Sequence, residues 1–371
     1  MPSPFPFKKY GESGLEISSL FPNVARFVDD LCVIRSMYAD TPTHSPGILQ
    51  MNSGSIVTGK PSLGAWLGYG LGDLNANVPN YVVMTDHRGG PRGGAAAWTS
   101  GFMPAAYQGT LFRSKGVPIL NLKNPEGIDQ GTQRRSLDVL GRLNHKHLQK
   151  QGGDSELAAR IESYELAFRM QTEAADAVDV SKESAEMQEL YGLNRKETEY
   201  FGRQCMLTRR LLERGVRYIQ LYSGGGADSW DAHNNCTDNH GRHALETDQP
   251  IAALMEDLKR RGMWDDTLLI WGGEFGRTPT SEGKGKPGRD HNQYGFSMWL
   301  AGGGVKGGQA IGATDEVGFT AVENRVHVSD LHATILHLLG LDHEKLTFLH
   351  NGLDQRLTGV QARRVLQEVF T

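Results

Sequence analysis

Cysteine is scarce in this chain. Cys32, Cys205 and Cys236 are odd in number and widely separated. They offer neither the paired spacing of a zinc ribbon nor the density of a disulfide framework. Cys236 is close enough to Asp231 and His233 to be weighed as a soft ligand, although an isolated cysteine is usually a small buried apolar residue. An excess of one charge is also missing: the net charge is −4 with no basic tract, which argues against a nucleic-acid partner. No apolar run is long enough to span a bilayer. The opening Met1-Pro2-Ser3-Pro4-Phe5-Pro6-Phe7 lacks both a charged and an apolar signal region, so no signal peptide is expected there. With no internal repeat and no low-complexity linker, residues 1–371 are expected to form a single domain.

Glycine is abundant, at 46 of 371 residues, and suits many tight loops. Short apolar runs at Leu31-Cys32-Val33-Ile34, Tyr81-Val82-Val83-Met84, residues 217–222, residues 267–271 and residues 296–301 read as strands. Helical spacing of Ile17, Leu20, Phe21, Val24, Phe27 and Val28 predicts a helix before the first of these. Further helices are expected over residues 47–57, 61–72, much of 132–215, 242–261 and 328–339, the last capped by Ser329. Residues 88–100 are Gly- and Ala-rich and read as a loop. Strands alternating with helices indicate an α/β fold with a mostly parallel central sheet, whose ligands collect at strand carboxyl ends.

The chemistry concentrates on those strand ends. Asp231 and His233 sit two apart after one strand, so an extended backbone points both to one side. Glu274 follows the next strand within Gly272-Gly273-Glu274-Phe275-Gly276-Arg277-Thr278. Asp290-His291 follows in Gly288-Arg289-Asp290-His291, just before another strand. Carboxylates with imidazoles suit a divalent cation such as zinc, and the Arg277 guanidinium fits a tetrahedral oxyanion. Any one of these residues could be a loop polar group capping a turn. Together, on three neighbouring connections, they point to a metal site. His240 and His243 cluster near His233 and read equally as ligands, supports or solvated residues. His327, His332, His337 and His343 read as structural or surface residues.

These blocks resemble a bacterial family called domain of unknown function 1501, of the alkaline phosphatase and sulfatase superfamily. The resemblance extends through Ile34-Arg35-Ser36-Met37, Thr43-His44-Ser45-Pro46, Pro61-Ser62-Leu63-Gly64-Ala65-Trp66 and Val328-Ser329-Asp330-Leu331-His332-Ala333-Thr334, and so covers essentially the whole chain. It implies an alkaline-phosphatase-like three-layer α/β/α fold and a site of two metals flanking a nucleophile. Asp231, His233, Glu274 and His291 then stand as metal ligands, and the metal is zinc, calcium or manganese. The implied activity is hydrolysis of phosphate or sulfate esters on a small molecule or polysaccharide, and the relatives suggest an exported or periplasmic setting.

Two departures stand out. Where sulfatases carry Cys-x-Pro-Ser-Arg ahead of a Thr-Gly pair, this chain has His44-Ser45-Pro46-Gly47 ahead of Ser53-Gly54. His44 thus takes the nucleophile register, with Thr43 and Ser45 beside it and Asp290 beside His291 as supporting or substrate-contacting residues. Relatives also begin with an export signal and a Gly-Gly-Pro-Ser-His-x-Asp-like ligand motif, so this chain is expected to lack the first strand and one ligand. An inactive metal- or ligand-binding member and a phosphomutase-like metalloenzyme are the alternative readings.

Overall fold

The computed structural model describes residues 1–113, 119, 127–150, 165–166, 168–169, 177–282 and 285–370. The strand Leu31–Tyr38 is the hub of a five-stranded sheet. Cys32, Ile34 and Met37 on it are fully buried, as a short apolar run covered on both faces should be. Gln309–Ile311 and Val326–His327 pair with it in parallel. Phe296–Ala301 pairs with it antiparallel and in turn takes Leu269–Trp271 antiparallel. This sheet is therefore mixed. The mostly parallel central sheet expected from the strand–helix alternation is not what these strands form. A second sheet is parallel throughout: Tyr81–Met84 lies between Thr110–Phe112 and Tyr218–Leu221.

Strand direction positions the site. Leu31–Tyr38 and Leu269–Trp271 both run opposite to Phe296–Ala301 between them. The carboxyl ends of the outer two and the amino end of the middle one therefore share one rim. From that rim start the segments leading to His44 and Glu274, and into it runs the segment carrying His291.

Several local expectations are corrected. Leu15–Ser18 is a strand paired with Phe7–Tyr10, and only Val24–Asp30 is helical, as a 3₁₀ turn. The next helix spans His44–Ser53 and not 47–57, ending at Gly54 in the left-handed region. Residues 94–98 of the Gly/Ala-rich loop form a 3₁₀ turn. Within 132–215 the described helices include Gln130–Lys150, Ala185–Leu190 and Glu199–Leu212, with a 3₁₀ turn at Val180–Lys182. Gly152 and Gly153 in that stretch fall outside the described residues. The expected 242–261 helix begins earlier, at Cys236, and ends at Arg260. The last helix, Val328–Leu338, is capped by His327 and not by Ser329: His327 Nδ1 accepts from Ser329 N, and Asp330 accepts from His327 N. That reciprocal arrangement satisfies donors that a helix start leaves open. Among the described residues, no helix is long and apolar enough to cross a membrane.

Candidate metal centre

Two distant loops are brought together by backbone contact. Arg289 N donates to Ala232 O at 3.0 Å, and Asn235 N and Cys236 N donate to Lys286 O and Pro287 O at 3.1 Å. Gly288 makes this approach possible, because a Cβ there would lie 2.1 Å from the carbonyl carbon of His233. Downstream, Arg277 pairs directly with His291 in a two-stranded ribbon. These contacts gather Asp231, His233, Arg277 and His291 into one place.

Asp231 is the centre of the cluster, with a side chain only 9% exposed. His233 Nε2 lies 3.0 Å and His291 Nε2 3.1 Å from its Oδ1, and His44 Nε2 lies 3.0 Å from its Oδ2. Arg277 Nη2 approaches Oδ1 at 2.7 Å, and Arg92 Nη2 approaches Oδ2 at 3.3 Å. Burial alone would raise the Asp231 pKa. The hydrogen bond and the charge of Arg277 outweigh it and hold the carboxyl well below the usual carboxylate range.

The opposite edge of each imidazole is engaged by an oxygen. His44 Nδ1 is 2.5 Å from Glu274 Oε1, His233 Nδ1 is 2.7 Å from Glu282 Oε2, and His291 Nδ1 is 2.6 Å from Pro42 O. An oxygen acceptor at Nδ1 requires the proton there, which leaves Nε2 with its lone pair in the neutral ring. Three Nε2 atoms then face one carboxylate. Such an arrangement calls for a second proton on each ring or for a shared cation. His44 Nε2 is buried and makes no hydrogen bond among the described residues despite its 3.0 Å approach to Asp231. Among the described residues, two overlapping groups have donor atoms close enough to hold a metal ion: His44, Asp231 and His291, and His233, Asp290 and His291. The donor set fits a divalent cation.

The remaining predicted residues are placed as follows. Glu274 reaches the cluster through His44 Nδ1, and Phe275 packs its ring against both His44 and His291. Asp290 is 61% exposed, accepts from His291 N, and lies 4.0 Å from His233 Nδ1. Thr43 is the residue before the His44–Ser53 helix, and its side chain does not cap it. Ser45 Oγ donates to Arg92 O at 3.2 Å. His240 and His243 are not brought to Asp231; they pack on Trp230. Cys236 is buried at the start of its helix.

Sequence reasoning missed Arg92, Glu282 and the Pro42 carbonyl. Arg92 had a signal: it is the charged residue in Gly89-Gly90-Pro91-Arg92-Gly93-Gly94. A backbone carbonyl has none.

Residues 1–370 match the family model described as "Protein of unknown function (DUF1501)", and the chain belongs to that family. No curated protein matches it. Among solved structures it is similar to the PsFucS1 sulfatase from Pseudoalteromonas sp., at 14% identity and TM-score 0.42 over 95% of this chain and 70% of that one. The lipoteichoic acid synthase LtaP from Listeria monocytogenes gives 12%, 0.39, 95% and 71%. The phosphonate monoester hydrolase SpPMH from Silicibacter pomeroyi gives 14%, 0.37, 86% and 68%.

Proposed function

We propose that this member of the DUF1501 family is a single-domain, metal-dependent hydrolase of phosphate or sulfate esters, carried on a small molecule or a polysaccharide. The observation that carries the reading is the orientation of three imidazoles. Each gives Nδ1 to an oxygen and turns Nε2 toward Asp231, the pattern by which proteins orient histidine ligands.

In this reading His44, Asp231 and His291 hold the cation, and His233 with Asp290 borders a second position next to it. A bound divalent cation would supply Lewis-acid polarisation and charge neutralisation for in-line displacement. Imidazole-rich ligation favours zinc or another first-row metal over calcium, which prefers a shell of oxygens. His44 acts as a ligand and not as a nucleophile, since both its nitrogens are already directed. Glu274 becomes a positioning residue that fixes the His44 tautomer, and Glu282 does the same for His233. Arg277, anchored by Arg289 O at 3.2 Å, offers its planar fork to the oxyanion of the transferred group. Thr43 and Ser45 flank His44 at the start of its helix and would be the residues that meet the substrate there.

The test is metal content after dialysis, for the unaltered chain and for His291→Ala and Asp231→Ala, followed by turnover of aryl phosphate and aryl sulfate. A stoichiometric divalent cation lost in both variants, with turnover of either ester, is expected. An unaltered chain that retains no cation overturns the reading. Cation retained without turnover replaces hydrolysis with binding alone.

A further inference from the structure

The two guanidiniums on Asp231 are held differently. Arg277 is 19% exposed and contacts Oδ1 at 2.7 Å, while its Nη1 donates to Arg289 O. Its backbone belongs to the ribbon with His291. Arg92 is 55% exposed and reaches Oδ2 at 3.3 Å. Oδ2 is also the oxygen that His44 Nε2 faces. A cation held between His44 and Asp231 would therefore meet the Arg92 charge on the same oxygen, and two like charges there repel.

The backbone beneath Arg92 is braced on both sides. At the loop base, Arg88 makes two 2.8 Å contacts to Asp86 through Nε and Nη2. Gly225 packs so closely that a Cβ on it would lie 2.1 Å from Gly89 O. At the tip, Arg92 O accepts from Ser45 Oγ. Gly93 also lies against the helix, where a Cβ would stand 3.3 Å from Ile48 Cγ2. The tip is thereby moored to the first turns of the His44–Ser53 helix, and an exposed side chain extends from it beside the cluster.

We propose that Arg92 is a second oxyanion-binding residue. It is parked on Asp231 until a cation takes that carboxylate, so that cation and tetrahedral oxyanion bind cooperatively. The inference rests on the cation site proposed above and adds an order to it. Once Asp231 is committed to the cation, the Arg92 fork turns to the anion from the side opposite Arg277, and two guanidiniums flank one oxyanion. Such coupling is reciprocal: the anion must tighten the cation by the factor that the cation tightens the anion.

Calorimetric zinc titration of the full chain tests this. It is run in chloride, then with inorganic phosphate, then with inorganic sulfate, for the unaltered protein, Arg92→Ala and Arg92→Lys. In chloride, Arg92→Ala should bind zinc about two- to fivefold tighter, the scale of one exposed ion pair. With oxyanion, the unaltered chain should gain zinc affinity, Arg92→Ala should lose most of that gain, and Arg92→Lys should recover part of it. The arm with the larger gain identifies phosphate or sulfate as the preferred group. Zinc binding that is the same in Arg92→Ala, with an undiminished anion effect, overturns the proposal and leaves the cation site standing. No zinc binding by the unaltered chain overturns both.

Discussion

His44 Nδ1 lies 2.5 Å from Glu274 Oε1, and that contact decides what the rest of the ring can do. With Nδ1–H donating to Glu274, the neutral ring keeps its Nε2 lone pair, which faces Asp231. Glu274→Ala should weaken cation binding about 10- to 100-fold with little change in melting temperature, as loss of an orienting partner does. Glu274→Gln retains an amide oxygen for the same proton and should keep much of the affinity. If Gln costs as much as Ala in a cation titration, Glu274 is itself a ligand and the orienting role is wrong.

Gly47 guards the same contact. A Cβ there would stand 3.1 Å from Glu274 Cγ and 3.3 Å from Phe275 Cδ1. Gly47→Ala should help the His44–Ser53 helix by up to about 1 kcal/mol in propensity while displacing Glu274 from His44. Cation affinity should therefore fall even if thermal stability holds or rises. Measuring both on one sample checks the split, and an unchanged affinity would mean Glu274 has room to move.

Much of this site was legible because its residues follow apolar strands on glycine-rich loops. Asp231, His233, Glu274, Arg277 and His291 stand out on that ground; His233, Arg277 and His291 lie against Asp231, and Glu274 joins them through His44. The strand Phe296–Ala301 is legible to the residue, since an apolar run broken only by Ser297 ends there at three glycines. Strand direction is not legible, because strands buried on both faces read as continuous apolar runs whichever way their neighbours point. That is why the mixed character of the sheet, and the entry of His291 from an amino end, had to come from the structure. Arg92 does not stand out in the sequence, because its loop carries no carboxylate or imidazole between Gly89 and Gly94. His327 was not read as a cap because histidine seldom serves as one.

Arg277 presents its fork beside Asp231 with one nitrogen anchored on Arg289 O. Lysine keeps the charge but loses the planar pair of donors. On the proposed hydrolytic reading, Arg277→Lys should lower kcat/KM for an aryl phosphate or sulfate by about 100-fold, the scale of one transition-state donor. Most of that loss should fall in kcat. A purely structural role would instead show as a lowered melting temperature with kcat intact, so steady-state kinetics and a thermal melt together decide.

His332 makes a pH prediction away from the Asp231 cluster. Its ring is buried, with Nε2 2.8 Å from Met51 O, and Nδ1 has no hydrogen-bond partner among the described residues. Burial pushes its pKa down from 6.5 to about 4. Between those values the unfolded chain binds the proton and the folded chain does not, so stability rises with pH across that window. The contribution is complete above about pH 6.5 and is lost as pH falls toward 4, amounting to about 3 kcal/mol. His332→Gln has no such titration and can still donate to the Met51 carbonyl. Urea unfolding at pH 7.5 and pH 4.5 should show a smaller acid loss in the variant than in the unaltered chain. Equal losses would assign the acid sensitivity to other groups, because only the difference between the two proteins isolates this ring.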